Sequence, residues 1–194
     1  MSEYLQVAAV GYLLGSIPFA YLVSRLWSGA DIRRLGSGNV GTTNVMKQIG
    51  RIPGVLTALG DGGKGLAAVV AGRLMLAQDQ LAPLIALLFA VIGHNWSLWL
   101  KFEGGGGLAT SIGGLVDISL AAALFTLTLW GLTYVVTGHK YVSSVGACAI
   151  LPVAMGILKG TWLYVWFGFF LGLMLAVKQV VAWHRFVDEG PQQA

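Results

Sequence analysis

Apolar residues fill seven stretches of the chain, and short polar or glycine-rich segments separate them. A run of about 20 apolar residues is long enough to cross the hydrocarbon core of a bilayer as an α-helix. The pattern therefore predicts an all-α integral membrane protein of about seven membrane helices, forming one domain over residues 1–194. The predicted spans cover residues 4–26, 55–76, 81–100, 108–116, 118–137, 141–158 and 161–183.

The fourth stretch, residues 108–116, is too short to cross about 30 Å of hydrocarbon as a helix that rises about 1.5 Å per residue. We expect a short or re-entrant piece there. Irregular backbone at membrane depth is tolerated only where it is buried in protein or faces a wet cavity. A binding site is therefore expected near this segment.

The composition agrees with a membrane protein, since 56% of the residues are hydrophobic and 10% are charged. Soluble domains usually carry about a quarter charged residues. The single cysteine, Cys148, excludes an intrachain disulfide and a thiolate-rich metal site, and we expect it to be a small core residue. With no carboxylate-rich metal cluster and no Walker A motif, we expect no metal, no cofactor and no nucleic-acid partner.

The cations favour one side of the predicted bundle, which receives the loops 27–54, 101–107 and 138–140 and the tail 184–194. Cytoplasmic loops of membrane proteins carry an excess of lysine and arginine. This bias predicts an N-terminus outside and a C-terminus in the cytoplasm, in a multi-pass protein of the cell membrane. The cations on that side are Arg25, Arg33, Arg34, Lys47, Arg51, Lys101, Lys140, Lys178 and Arg185.

The first glycine loop, residues 36–41, is the most polar feature on that side. Its glycines allow successive backbone N–H groups to point into one concavity, as in anion-binding nests. A helix that begins near Thr43 would direct its positive end at a bound phosphate. The alternative is a flexible linker, but linkers are richer in serine. The candidate phosphate-binding residues are Gly36, Ser37, Gly38, Asn39, Gly41, Thr43, Asn44 and Lys47.

Two ionisable residues, Asp61 and Lys64, lie inside the second predicted span. Residues three apart on a helix share a face, so the two side chains can form an ion pair. Charged side chains at membrane depth are costly and face either a cavity or each other. A binding role and a purely structural ion pair are both open at this point, and they are compatible.

A second glycine loop, residues 104–107, precedes the short fourth span. Gly104, Gly105 and Gly107 would form another backbone nest, with Thr110 behind it. His94, shortly before this loop, is either a pocket residue or a hydrogen-bonded core residue.

Two weaker candidates lie further along the chain. Ser143 stands at the start of the sixth span, where N-capping alone would explain a hydroxyl. His184 closes the seventh span and is explained equally well by an interface anchor.

Taken together, these motifs resemble the bacterial membrane acyl-phosphate:glycerol-3-phosphate acyltransferases, the PlsY family. The resemblance covers roughly residues 8–145, with the motifs in family order. It is carried by residues 11–19, 31–33, 36–44, 61–65, 93–94 and 104–110. It implies a seven-helix membrane bundle with its active site at the cytoplasmic face.

The resemblance also implies a reaction. A fatty acyl group would pass from acyl phosphate to the 1-hydroxyl of glycerol 3-phosphate, giving lysophosphatidic acid for phospholipid synthesis without a metal or another cofactor. Ser37 and the loop amides would hold a phosphate and Lys47 would neutralise charge. Lys64, His94 and Ser143 would shape the pocket, and His184 would match a C-terminal family histidine.

Several positions depart from the family pattern. Lys47 stands for an arginine, Gly106 for a phosphate-binding lysine, and Gly146 for a second serine, while the tail around His184 lacks the family's arginine and asparagine. The alternative function is therefore a catalytically weakened relative that binds lipid or phosphate, or serves as a subunit of a membrane complex. Membrane lipids are partners in either case. A channel is disfavoured, because the halves show no inverted repeat.

Overall fold

The computed structural model describes the backbone of residues 1–188 and the side chains of residues 1–181. Within these residues the chain forms α-helices and short 3-10 turns, with no β-sheet. The helices are α1 Ser2–Ser16, α2 Phe19–Ser28, α3 Thr42–Gln48, α4 Arg51–Met75, α5 Leu81–Asn95, α6 Leu108–Ile118, α7 Leu120–Thr137, α8 Lys140–Lys159 and α9 Trp162–Asp188.

Four segments of the described chain are long and apolar enough to cross a membrane: Ser2–Ser28, Leu120–Thr137, Lys140–Lys159 and Trp162–Val181. They correspond to the first, fifth, sixth and seventh predicted spans. The second predicted span is α4, and the third is the shorter apolar helix α5. The prediction that the fourth is short is confirmed, because α6 has 11 residues. The total number of crossings stays a prediction.

The first predicted span lies within the candidate span Ser2–Ser28, but its helix is interrupted, because α1 and α2 are separated at Ile17 and Pro18. Proline cannot donate a backbone hydrogen bond, and it disfavours helical backbone in the preceding residue. The third predicted span also ends earlier than expected, at Asn95, and a 3-10 turn follows at Leu98–Leu100.

Small residues bring helix pairs into backbone contact. A Cβ added at Gly15 of α1 would lie within 3.0 Å of the Ala90 backbone of α5, and one added at Gly65 of α4 would lie equally close to Thr110 of α6. Such small-residue interfaces are how membrane helices approach one another closely. The helices from α4 to α9 in chain order contribute to one apolar core. Its large buried side chains include Leu87, Leu115, Leu151, Met155 and Leu171.

This packing gathers the unusual loops at one end of the bundle. Ala20 of α2, Ile32, Val40, Val45 of α3 and Leu100 form one buried cluster. The segment between α2 and α4 is thereby fixed against the segment between α5 and α6. The two glycine loops are consequently neighbours.

Candidate active site

The first glycine loop is a preformed structure held by Asn44. The Asn44 side-chain Nδ2 donates to the carbonyl oxygens of Leu35 at 2.9 Å and Asn39 at 3.0 Å, and its Oδ1 accepts from the backbone N–H of Ser37 at 3.3 Å. Gly36 has a φ of +55°, which favours glycine, and an added Cβ there would lie 2.6 Å from Asn44 Oδ1. The loop is therefore ordered, unlike a flexible linker. Asn44, predicted as a phosphate donor, has its carboxamide engaged by the loop itself.

Three other predicted residues of this segment are exposed: Ser37, Thr43 and Lys47. A short helix does begin where one was predicted, since Gly41 is the N-terminal flanking residue of α3. Lys47 also lies close enough to Lys140 of α8 for the two ammonium groups to repel each other. An anion that binds between them would relieve this repulsion.

An ion cluster anchors the entrance to the first glycine loop. Asp31 accepts from the Arg33 guanidinium at 2.8 and 3.0 Å, and Arg25 lies 3.4 Å from the same carboxylate. Both guanidinium groups lie over the Tyr21 ring, at 5.5 Å for Arg25 and 5.1 Å for Arg33. The hydrogen bonds from Arg33 lower the pKa of the Asp31 carboxyl to about 2.

This lowered pKa gives a pH prediction for Asp31→Asn. Because the pKa of Asp31 is lower in the folded protein, its carboxylate stabilises the fold fully above about pH 4 and progressively less as the pH falls towards about 2. We expect the variant to be less stable than the wild type at neutral pH and the gap to close below about pH 4. Unfolding in detergent is measured across pH, with Glu3→Gln as the control. A gap that persists unchanged near pH 2.5 would contradict the prediction.

The second glycine loop starts α6 and touches the first. The backbone N–H of Gly105 donates to the His94 carbonyl at 3.1 Å. A Cβ added at Gly105 would lie 2.7 Å from the Val40 carbonyl oxygen, so the two loops are in direct contact there. Gly107, at a φ of +82°, precedes the first residue of α6. Gly104 is packed against the His94 carbonyl in the same way.

Behind this contact lies a buried charge cluster. Lys64 Nζ lies 2.8 Å from Asp61 Oδ1 and donates to the Ile17 carbonyl at 2.7 Å, while His94 Nδ1 lies 3.4 Å from Asp61 Oδ1. The Lys64 and Asp61 side chains are each 3% exposed. Together with His94, these two residues line a cavity of about 10 Å³, which has room for about one water molecule. These three predicted pocket residues therefore form one buried cluster and share its cavity with Gly104 and Gly105 of the second glycine loop.

Three further predicted residues have separate surroundings. Thr110 is fully buried, and its hydroxyl has no hydrogen-bond partner among the described residues. Ser143 is also buried, and its hydroxyl donates to the His139 carbonyl at 3.0 Å within the first turn of α8. His184 lies in the helical backbone of α9, but its side chain is outside the described residues.

The structure adds Gln179, which the sequence analysis missed, and gives a contact to Lys178, which it named only as a cation. Lys178 Nζ of α9 donates to the Asn95 carbonyl at 2.6 Å and lies 5.0 Å from the centre of the Trp96 ring. Gln179 Nε2 donates to the Gly106 carbonyl at 3.4 Å. Two adjacent polar residues near the end of an apolar helix were a signal, but nothing in the pattern pairs them with a loop 73 residues earlier.

These features define a helical membrane protein in which two ordered glycine loops meet beside a buried charge cluster. A family model described as glycerol-3-phosphate acyltransferase matches residues 5–188. The chain therefore belongs to the glycerol-3-phosphate acyltransferase family, as the resemblance predicted.

Individual relatives agree with that assignment. The chain is 37% identical over 168 residues to the glycerol-3-phosphate acyltransferase of Carboxydothermus hydrogenoformans, covering 87% of this chain and 85% of the relative. It is 45% identical over 145 residues to the protein of that name from a Synechococcus species, covering 75% and 72%.

Solved structures show the same fold. The crystal structure of PlsY (YgiH) in its glycerol 3-phosphate form, an integral membrane glycerol 3-phosphate acyltransferase, is similar with a TM-score of 0.86 at 26% identity, covering 98% of this chain and 95% of that one. A second form of PlsY, with lysophosphatidic acid, gives a TM-score of 0.84 at 24% identity and supports the fold alone. The prediction of an all-helical integral membrane protein is confirmed.

Proposed function

We propose that this chain transfers a fatty acyl group from acyl phosphate to the 1-hydroxyl of glycerol 3-phosphate at the cytoplasmic face of the membrane, giving lysophosphatidic acid. The observation that carries the proposal is the first glycine loop, which Asn44 holds open while Ser37 and Lys47 remain exposed beside it. Relatives of this chain are named glycerol-3-phosphate acyltransferases, and the crystal structure of one relative is its glycerol 3-phosphate form.

The chemistry needs positioning and charge stabilisation more than a covalent intermediate. The 1-hydroxyl oxygen attacks the acyl carbonyl carbon, an ester bond forms, and the carbon–oxygen bond to phosphate breaks. The hydroxyl proton leaves with the phosphate. Because phosphate is a good leaving group, aligned reactants and fixed hydrogen-bond donors account for much of the acceleration.

The residues fall into two groups under this proposal. The Ser37 hydroxyl binds phosphate together with loop N–H groups other than those of Ser37, Gly38 and Gly105, which donate within the protein. Lys47 neutralises the phosphate charge, and His184 acts from the end of α9. Ser143 and Thr110 shape the pocket. The second group supports the site from inside. Asn44 holds the first glycine loop, His94 contacts Gly105 of the second, and Asp61 and Lys64 form the buried pair beside the Ile17 carbonyl.

An apolar groove next to Asp61, Lys64 and His94 suits a substrate with a fatty acyl chain. A cavity of about 370 Å³ is lined by Ile17, Pro18, Tyr21, Leu22, Trp99 and Leu100. It shares Ile17, Pro18 and Leu100 with the cavity at Asp61, Lys64 and His94. An amphipathic acyl donor needs such a junction between apolar and polar surfaces.

Ser37→Ala tests the proposal. We expect its kcat/KM for glycerol 3-phosphate to fall by about tenfold or more, because a hydrogen bond to a charged group contributes about 1.5–3 kcal/mol. Purified protein is assayed for lysophosphatidic acid formed from acyl phosphate, with Ser2→Ala as the control.

Sealed vesicles test the proposed orientation of the active site. The protein should convert externally added glycerol 3-phosphate only when its cytoplasmic face is on the outside of the vesicle.

The outcomes separate the enzyme from its alternative. Well-folded wild-type protein that gives no product would favour the catalytically weakened, lipid- or phosphate-binding relative. Turnover that survives Ser37→Ala unchanged would remove the serine from the phosphate site while leaving the reaction in place.

A further inference from the structure

Gln179 occupies the space beside Gly106 that a side chain at that position would need. The three atoms nearest to a Cβ added at Gly106 all belong to the Gln179 carboxamide, and the closest, Nε2, would lie within 3.0 Å. The same Nε2 donates to the Gly106 carbonyl oxygen. The glycine and the glutamine therefore fit as a pair.

Neighbouring residues of α9 reinforce this contact. Lys178 Nζ donates to the Asn95 carbonyl at the end of α5, at 2.6 Å. One turn earlier, Leu175 lies against Gly107, where an added Cβ would be 2.8 Å from its Cδ2. Helix α9 thus holds both ends of the segment that contains the second glycine loop.

Fixing the Gly106 carbonyl also fixes a donor. The peptide unit is planar and trans, so the carbonyl of Gly106 and the N–H of Gly107 point in opposite directions. A peptide between two glycines rotates with little steric resistance. A hydrogen bond that holds its oxygen towards α9 therefore directs the Gly107 N–H away from α9.

We propose that Gln179 is a positioning residue that sets the orientation of the 106–107 peptide, and so presents the Gly107 N–H to the phosphate of the substrate. This inference rests on the proposed function. The carboxamide acts through the loop and does not itself touch the reacting atoms.

Replacing Gln179 by methionine separates positioning from packing. Methionine has a similar length and volume, but it cannot donate to the Gly106 carbonyl. We expect Gln179→Met to keep the wild-type unfolding temperature while kcat/KM for glycerol 3-phosphate falls about fivefold, the equivalent of one net hydrogen bond. Gln179→Glu should fall further, because its carboxylate repels the carbonyl oxygen. Wild-type kcat/KM in both variants would overturn the proposal.

A pair of alanine variants tests the coupling between the two positions. Gly106→Ala should lower kcat/KM, because its Cβ displaces the carboxamide, and adding Gln179→Ala should cause little further loss. Gly131→Ala is the matched control, since nothing lies within 4 Å of a Cβ added there. Additive losses from the two substitutions would contradict a shared role.

Hydrogen exchange gives a readout independent of turnover. In Gln179→Met the amides of residues 104–107 should exchange faster than in the wild type, because the loop peptide is no longer held. This holds even if the wild-type protein proves inactive, so failure of the proposed function and failure of the positioning role are distinguishable. Unchanged exchange in the loop would overturn the positioning role.

Discussion

Lys64→Ala is expected to destabilise the folded protein by about 3–5 kcal/mol, the usual cost of leaving one member of a buried ion pair without its partner. Asp61 would be left with His94 at 3.4 Å as its nearest partner. The Ile17 carbonyl would lose the ammonium group that donates to it at 2.7 Å and keep only the backbone N–H of Phe19 at 3.2 Å. One substitution therefore removes a partner from two buried groups.

The matched control replaces both charges at once. Asp61→Leu combined with Lys64→Met fills the same volume with apolar atoms, and such replacements are often neutral or stabilising. Unfolding of each variant is followed in the same detergent, and acyl transfer is measured separately. A loss below about 1 kcal/mol for Lys64→Ala would show that the pair is dispensable for stability. A stable double variant with normal activity would remove both residues from the chemistry.

Gly15→Ala is expected to destabilise the protein by about 1–3 kcal/mol, as overpacking usually does. The added methyl group would clash with backbone atoms of Ala90 in α5, and a helix backbone cannot move aside as a flexible side chain would. Helices α1 and α5 would have to separate along their whole contact. Unfolding in detergent measures the effect directly.

Gly131→Ala again provides the control, on the open face of α7. No atom lies within 4 Å of the added methyl there, and alanine favours a helix over glycine by up to about 1 kcal/mol. The control should be neutral or slightly stabilised. Equal losses at Gly15 and Gly131 would mean that the close approach of α1 and α5 contributes nothing to stability.

The sequence was sufficient for the class of fold and for the location of the loops. Apolar run length predicted the helices, and glycine with small polar residues predicted the two loops that the structure brings together. Helix continuity was harder, even though Pro18 is visible in the sequence, because proline is tolerated inside membrane helices when neighbours satisfy the freed backbone groups. The neighbour in this case is Lys64.

The sequence pattern did not predict the orientation of individual side chains. Asn44 follows a polar glycine loop in the sequence, yet its carboxamide turns inward to four backbone groups. His94 meets Asp61 only after α4 and α5 pack together, whereas the pair of Asp61 and Lys64 lies within α4 and was predicted from its spacing. The contact between Gln179 and Gly106 joins residues 73 positions apart, and no local periodicity encodes it.

The structure shows the surroundings of three residues that depart from the family pattern: Lys47, Gly106 and Gly146. Gly106 is matched by Gln179, whereas Gly146 is exposed and has nothing within 4 Å of an added Cβ. Nothing in the structure explains a glycine at position 146. Lys47 remains exposed near Lys140, so this face keeps two cations.

The break between α1 and α2 has a consequence for how the protein enters the membrane. The Ile17 carbonyl is freed by the break and accepts from a lysine 47 residues later in the chain. Within its own segment this carbonyl accepts only from the backbone N–H of Phe19, at 3.2 Å, so α4 supplies its second and shorter hydrogen bond. The Lys64 ammonium would be costly in lipid without such partners. The bend between α1 and α2 therefore reaches its full set of contacts only once the later helix α4 lies against it.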